Sequence, residues 1–214
     1  MANVYNVLLA LFPIVMAITL HEVAHGWVAL KLGDPTAKHL GRLTANPIKH
    51  IDPIGTVVMP IVMLLVTGFA FGYAKPVPVD VRNFKHPQKD MALVALAGPF
   101  SNLVMAIFWM FILMLSYKYM PKSGISEAAQ YIANVGVIIN ILLMVVNLLP
   151  ILPLDGGRVV AGVLPFKWAV VYSRFERLGL LLVILLLFTG YLDKILTPMV
   201  QIVQKYLFGL FGLG

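Results

Sequence analysis

The chain has 214 residues and a formal net charge of +7, is 60% hydrophobic and only 12% charged, and contains no cysteine. A charged fraction about half of the roughly 25% found in soluble domains, with a mean hydropathy of +0.91, places it in a lipid bilayer, and the lack of thiols excludes disulfides and thiolate metal sites. The basic surplus does not point to nucleic acid, because Lys and Arg fall in short loops between apolar runs, where they act as a topology signal.

The first apolar run predicts a helix from about Val4 to Leu32. It has neither the basic leading region nor the small-residue cleavage site of a signal peptide, so it is expected to be retained. Its second half carries TLHEVAHGW, residues 19–27. Residues four apart share one helical face, so His21 and His25 can aim their imidazoles at one ion. This is the H-E-x-x-H spacing in which two histidines hold zinc and the glutamate, here Glu22, serves as general base. Ionisable groups inside a membrane helix are costly and mostly functional, and three in five residues argue for metal over accident.

A polar connection, GDPTAKHLGRLTANPIKHIDP, leads to a second apolar run from Gly55 to about Gly72. Basic residues flank it on both sides: Lys38, Arg42 and Lys49 before, Lys75, Arg82, Lys85 and Lys89 after. A crossing would put strongly positive loops on both faces, whereas a re-entrant hairpin keeps them together on the cytoplasmic side. In GYAKPVPVDV, Pro76 and Pro78 would silence one edge of a strand while Lys75, Val77 and Val79 keep N–H donors on the other. An extended substrate could pair with that edge; a proline-stiffened loop is the plainer reading.

Two long spans follow, Met91–Tyr117 and a run starting at Ala128 and ending at Leu154, each long enough to cross a bilayer. Zinc needs a third protein ligand beside an open position. His39, His50 and His86 lie in polar loops, and Asp155 directly follows the second span inside NLLPILPLDGGR. Pro150 and Pro153 interrupt the helix there, and Gly156 and Gly157 permit unusual backbone. Asp155 is therefore either the third ligand or a solvated turn residue. A re-entrant 55–72 segment brings it to the same side as the histidines, and a crossing segment separates them. A helix from about Phe166 to Tyr191 and a weaker, mildly amphipathic segment from Ile195 to Phe211 complete the chain, the latter either spanning or lying on the surface.

HEVAH in a membrane helix, AGPFSN at 97–102 and NLLPILPLDGGR at 147–158 together resemble the site-2 protease family of intramembrane zinc metalloproteases, in the short form without a PDZ domain. The likeness runs from Pro13 to about Val160. It implies that His21, His25 and Asp155 hold one Zn2+ per chain, that Glu22 is the catalytic base acting on zinc-activated water, and that Asn147 engages substrate. Asn102, which ends the AGPFSN motif, is expected to be structural or to serve an oxyanion; Asn140 receives no role.

The expected architecture is an all-α polytopic membrane protein. It has about 5–6 apolar segments, with a re-entrant hairpin and a short β element between the first helix and the 91–117 span. All 214 residues form one membrane-embedded metalloprotease domain, with its catalytic core at about 4–160 and C-terminal helices at about 166–211. The expected activity is hydrolysis of a peptide bond in or near a transmembrane segment of membrane-protein substrates, in the cell membrane of a prokaryote, with the site toward the cytoplasm. The competing readings are a catalytically silent zinc scaffold or chaperone and a metal transporter. Intact Glu22 argues against the first and the lack of repeated halves against the second. Oligomeric state is left open.

Overall fold

The structure, a computed structural model, describes residues 4–59, 62 and 75–213. Three long apolar helices organise it: α1 (Val4–Lys31), α3 (Pro87–Tyr119) and α4 (Gly124–Asn147). At about 1.5 Å per residue each exceeds a hydrocarbon core of about 30 Å, and all three pass for membrane spans by length and composition. The short helix α2 (Thr36–His39) follows α1. Each long helix packs against the other two, with fully buried small residues such as Ala17, Ala106 and Ala133 letting backbones approach. In lipid, where apolar side chains gain little by leaving tails for protein, that close packing supplies the attraction. Met110 and Leu113 of α3 meet Val137 and Ile141 of α4 in the main core.

The helix starts follow local chemistry. Ser123 caps α4 in a reciprocal box with Ser126, and Pro87 opens α3 at a position that needs no N–H donor. The Asp90 carboxylate in the first turn of α3 accepts the His86 N–H at 2.8 Å.

After Asn147 the chain departs from the expected run to Leu154. The helix ends, residues 148–154 turn without helix, and Asp155 is the first residue of a new helix, α5 (Asp155–Val163). Gly156 and Gly157 are helical rather than specially bent. A Cβ on Gly156 would collide with the carbonyl oxygens of Leu148 and Leu149, so this glycine serves a close approach. Helix α5 packs on α3, and the Gln88 amide donates to the carbonyls of Ala161 (2.8 Å) and Leu164 (2.7 Å), closing its C-terminal end.

The helix expected over 166–191 is two helices, α6 (Phe166–Ser173) and α7 (Glu176–Phe188). The break lets both reach the 148–154 turn: Tyr172 donates its hydroxyl to the Pro150 carbonyl at 2.9 Å, and Gly179 sits against the Leu152 carbonyl with no room for a side chain. Helix α8 (Tyr191–Leu210) leaves α7 at 85° through Gly190, whose φ is 70°. It packs on α4 and buries Leu192, Leu196 and Leu207 in the main core.

Among the described residues the architecture is therefore all-helical, with three spanning helices, or four if the bent α7–α8 pair counts as one. These are three or four of the expected 5–6 apolar segments, and the one expected over 55–72, the re-entrant hairpin, falls mostly outside the described residues. The described stretch at the start of that range belongs to a π-helical turn, Pro53–Val58, capped by the Asp52 carboxylate. The short β element does not form among the described residues. A ladder needs a neighbouring strand with matching donors and acceptors, and here Lys75 donates its N–H to the His50 carbonyl at 2.9 Å while the buried Arg42 guanidinium donates to the Lys75 carbonyl at 2.8 Å.

Further along, Asp34 ties this segment to the end of α1. Its fully buried carboxylate accepts the Thr36 N–H and hydroxyl, the Asp80 N–H at 2.8 Å and the Asn83 amide at 2.7 Å. Removing it would strand four donors, so Asp34→Ala is expected to destabilise the protein by on the order of 3 kcal/mol, read as a lowered thermal midpoint in detergent. An unchanged midpoint would show that the segment is held by other contacts.

Candidate metal centre

Helical periodicity puts His21 and His25 on one face of α1, and the turn before α5 brings Asp155 against them. The two Nε2 atoms lie 3.0 Å apart, and the Asp155 Oδ2 is 3.2 Å from that of His21 and 3.4 Å from that of His25. Among the described residues this is the group of His, Asp and Glu side chains whose ligand atoms converge. His50, another ligand candidate, is buried and spends its Nε2 on the Thr44 carbonyl at 3.0 Å; His39 and His86 do not join the cluster.

The protonation of the rings decides what this convergence means. His25 Nδ1 is 2.7 Å from the Val94 carbonyl, which can only accept, so the proton sits on Nδ1. His21 Nδ1 faces the Asn102 Oδ1 at 2.6 Å, which demands the same tautomer. Both Nε2 atoms then present lone pairs toward each other and toward a carboxylate oxygen that is buried without a hydrogen-bond partner. With both rings neutral, three lone pairs meet there, and they repel unless a cation lies among them. A tetrahedral zinc with bonds of about 2.0–2.1 Å places its ligand atoms about 3.3 Å apart, which is the spacing found. The residues fit zinc in donor type, number and separation.

Helix α3 supplies the surroundings of both rings through one stripe at i, i+4 and i+8. Val94 orients His25, Asn102 orients His21, and Gly98 between them leaves space: a Cβ there would lie 2.5 Å from ring atoms of both histidines. Asn102 is completely buried, with its Nδ2 donating to the Asn140 Oδ1 at 2.9 Å. Its Nδ2 is thus directed into the helix bundle, toward Asn140 and the Ala17 carbonyl. The motif AGPFSN announced the glycine and the asparagine, whereas the Val94 carbonyl and Asn140 carried no distinguishing pattern.

Glu22 is half-buried one residue from His21, and its Oε2 accepts the Val77 N–H at 2.8 Å. The N–H groups of Lys75 and Val77 therefore both point into the protein, one at His50 and one at Glu22. Asn147, near the C-terminal end of α4, donates to the Leu143 carbonyl one turn back at 3.0 Å.

Because its missing side chain is what admits the imidazoles, Gly98→Ala is expected to lower zinc affinity by at least about tenfold, the scale of losses around metal ligands. Competition with a chelating dye measures this, and parental affinity would show that the rings can shift without loss.

Comparison with known proteins adds an independent line. The model of peptidase family M50 matches residues 119–190. The chain is 37% identical over 201 residues to "Putative zinc metalloprotease YwhC" of Bacillus subtilis, covering 93% of this chain and 89% of that protein. It is 27% identical over 179 residues to "Putative zinc metalloprotease Rip2" of Mycolicibacterium smegmatis, covering 84% of this chain and 66% of that relative. No solved structure matches. The extent of the first likeness, together with the family match, makes this chain a member of peptidase family M50.

Proposed function

We propose that this peptidase is an intramembrane zinc endopeptidase that hydrolyses a peptide bond within or beside a membrane-spanning segment of its protein substrates, from the cytoplasmic side of a prokaryotic cell membrane. The observation that carries the reading is the convergence of His21, His25 and Asp155 between helices long enough to cross a bilayer. We assign one zinc per chain to these three residues, within a catalytic core spanning about residues 4–160.

When bound, zinc would supply Lewis acidity, polarising the scissile carbonyl and making water acidic enough to deprotonate near neutral pH. The protein's own groups do the rest. Val77 holds one oxygen of the Glu22 carboxylate, which leaves the other to take a proton from the attacking water and pass it to the leaving amine. Asn147 keeps amide capacity beyond its single bond to Leu143 and is assigned to the substrate carbonyl. Of the donors in the segment of Lys75, Val77 and Val79, the Val77 N–H meets the Glu22 carboxylate and the Lys75 N–H meets the His50 carbonyl. An extended substrate that pairs with this segment would take the place of the His50 carbonyl at Lys75 and use the Val79 N–H, leaving the Val77 bond to Glu22 in place. A silent scaffold would have no need of a carboxylate aimed beside the ligands, and a transporter would need a second access route that nothing among the described residues favours.

Glu22→Gln is expected to keep zinc while losing about 10²–10⁴-fold in turnover, whereas Asp155→Ala should lose both metal and turnover. Metal analysis beside cleavage of a single-span substrate by purified protein checks this, and an active Glu22→Gln variant would defeat the base assignment. Val79→Pro should raise KM by about tenfold if a substrate strand pairs there, since it deletes one ladder donor; unchanged kinetics would remove the strand from the mechanism.

A further inference from the structure

The hydrogen bonds behind His21 form a chain with a direction. His21 Nδ1 faces Asn102 Oδ1 at 2.6 Å, Asn102 Nδ2 faces Asn140 Oδ1 at 2.9 Å, and Asn140 Nδ2 faces the Gly136 carbonyl at 2.8 Å. Both asparagines are 0% exposed, so bulk solvent does not compete for their bonds. A primary amide can sit either way round with almost the same shape, and the network decides which.

Here the far end decides. The Gly136 carbonyl only accepts, so Asn140 must turn its NH2 toward it and its oxygen toward Asn102. Asn102 must answer with its own NH2, which leaves its oxygen for His21. The imidazole must then donate from Nδ1 and keep the Nε2 lone pair for the metal. The Ala17 carbonyl also lies near Asn102 Nδ2, but at 3.5 Å it is at the limit of a hydrogen bond and leaves the choice to Asn140. Were Asn102 reversed, it would offer N–H to Nδ1, and the proton of the neutral ring would move to Nε2. That proton would point at His25 and Asp155, where the ligand lone pair is needed.

We infer that Asn140 is a positioning residue of the metal centre: by orienting Asn102 it sets the tautomer of His21, although it touches neither the ring nor the ion. The inference rests on His21 being a zinc ligand. It assigns a task to a residue that the sequence shows only as an amide buried in an apolar helix, where interhelical glue is the ordinary reading. Glue and polarity differ in one respect. Glue is lost whenever the Asn102–Asn140 bond is lost, whereas polarity is restored by any group at 102 that cannot donate.

The test follows from that difference. Asn140→Leu removes the orienting acceptor and is expected to weaken zinc binding about 10- to 100-fold, the range seen for partners of metal-bound histidines. Adding Asn102→Asp supplies a carboxylate that can only accept from Nδ1, and is expected to bring the affinity back to within about threefold of the parent, on the pattern of carboxylate–histidine–zinc sites. Zinc affinity is read by chelator competition, with His21→Ala alongside. Parental affinity in His21→Ala would overturn the ligand assignment itself. Loss in His21→Ala with parental affinity in Asn140→Leu would overturn the relay alone, as would weakened binding that Asn102→Asp fails to restore. Should the variants not fold, ¹⁵N spectra of histidine-labelled, zinc-loaded parent decide: His21 must carry its proton on Nδ1, and coordination through Nδ1 would overturn the inference.

Discussion

The convergence of two imidazole nitrogens and a carboxylate oxygen on one point is the constraint on which the rest of the structure depends. Two imidazole nitrogens and a carboxylate oxygen 3.0–3.4 Å from one another need a metal ion or a shared proton to rest in apolar surroundings, and their separation suits zinc. The neighbouring architecture can be understood as the means of holding that arrangement. Helix α3 supplies a carbonyl at Val94, a gap at Gly98 and an amide at Asn102, one turn apart each. The Leu148–Leu154 turn ends one helix early so that Asp155 can begin another and arrive from the opposite side.

Around this centre, glycine and asparagine do work that is easily mistaken for packing. Gly98 admits the rings, and Gly156 lets the first turn of α5 press against the carbonyls of the preceding turn. The buried amides have their donors and acceptors met in sequence, as low-dielectric surroundings require. On the other side of α1, Arg42, His50 and Asp34 hold the 75–83 segment by its backbone, and this is what places the Val77 N–H on Glu22. The Glu22 carboxylate and the His21, His25 and Asp155 cluster thus lean on different parts of the chain.

Several expectations drawn from pattern needed revision for identifiable reasons. Pro150 and Pro153 mark the interruption before Asp155, but the sequence does not say that α4 ends already at Asn147 or that Asp155 opens a new helix. The 166–191 stretch reads as one helix, yet it divides so that Tyr172 and Gly179 can both meet the turn carrying Asp155. The prolines at 76 and 78 leave N–H donors at Lys75 and Val77 but do not reveal their partners, which are the His50 carbonyl and Glu22.

By itself the sequence determined what is local: apolar runs long enough to cross a membrane, and two histidines with a glutamate spaced so that helical periodicity alone puts both rings on one face. It also offered Asp155 as either a third ligand or a solvated turn residue, and Asn102 as the close of the AGPFSN motif. Only the tertiary structure decided which of these meet. The His21–Asn102, Asn102–Asn140 and Glu22–Val77 bonds join residues 81, 38 and 55 positions apart, and such pairings depend on the register in which helices pack. A helical repeat is written in neighbouring residues, whereas the direction of a hydrogen-bond chain across three helices exists only once they are in contact.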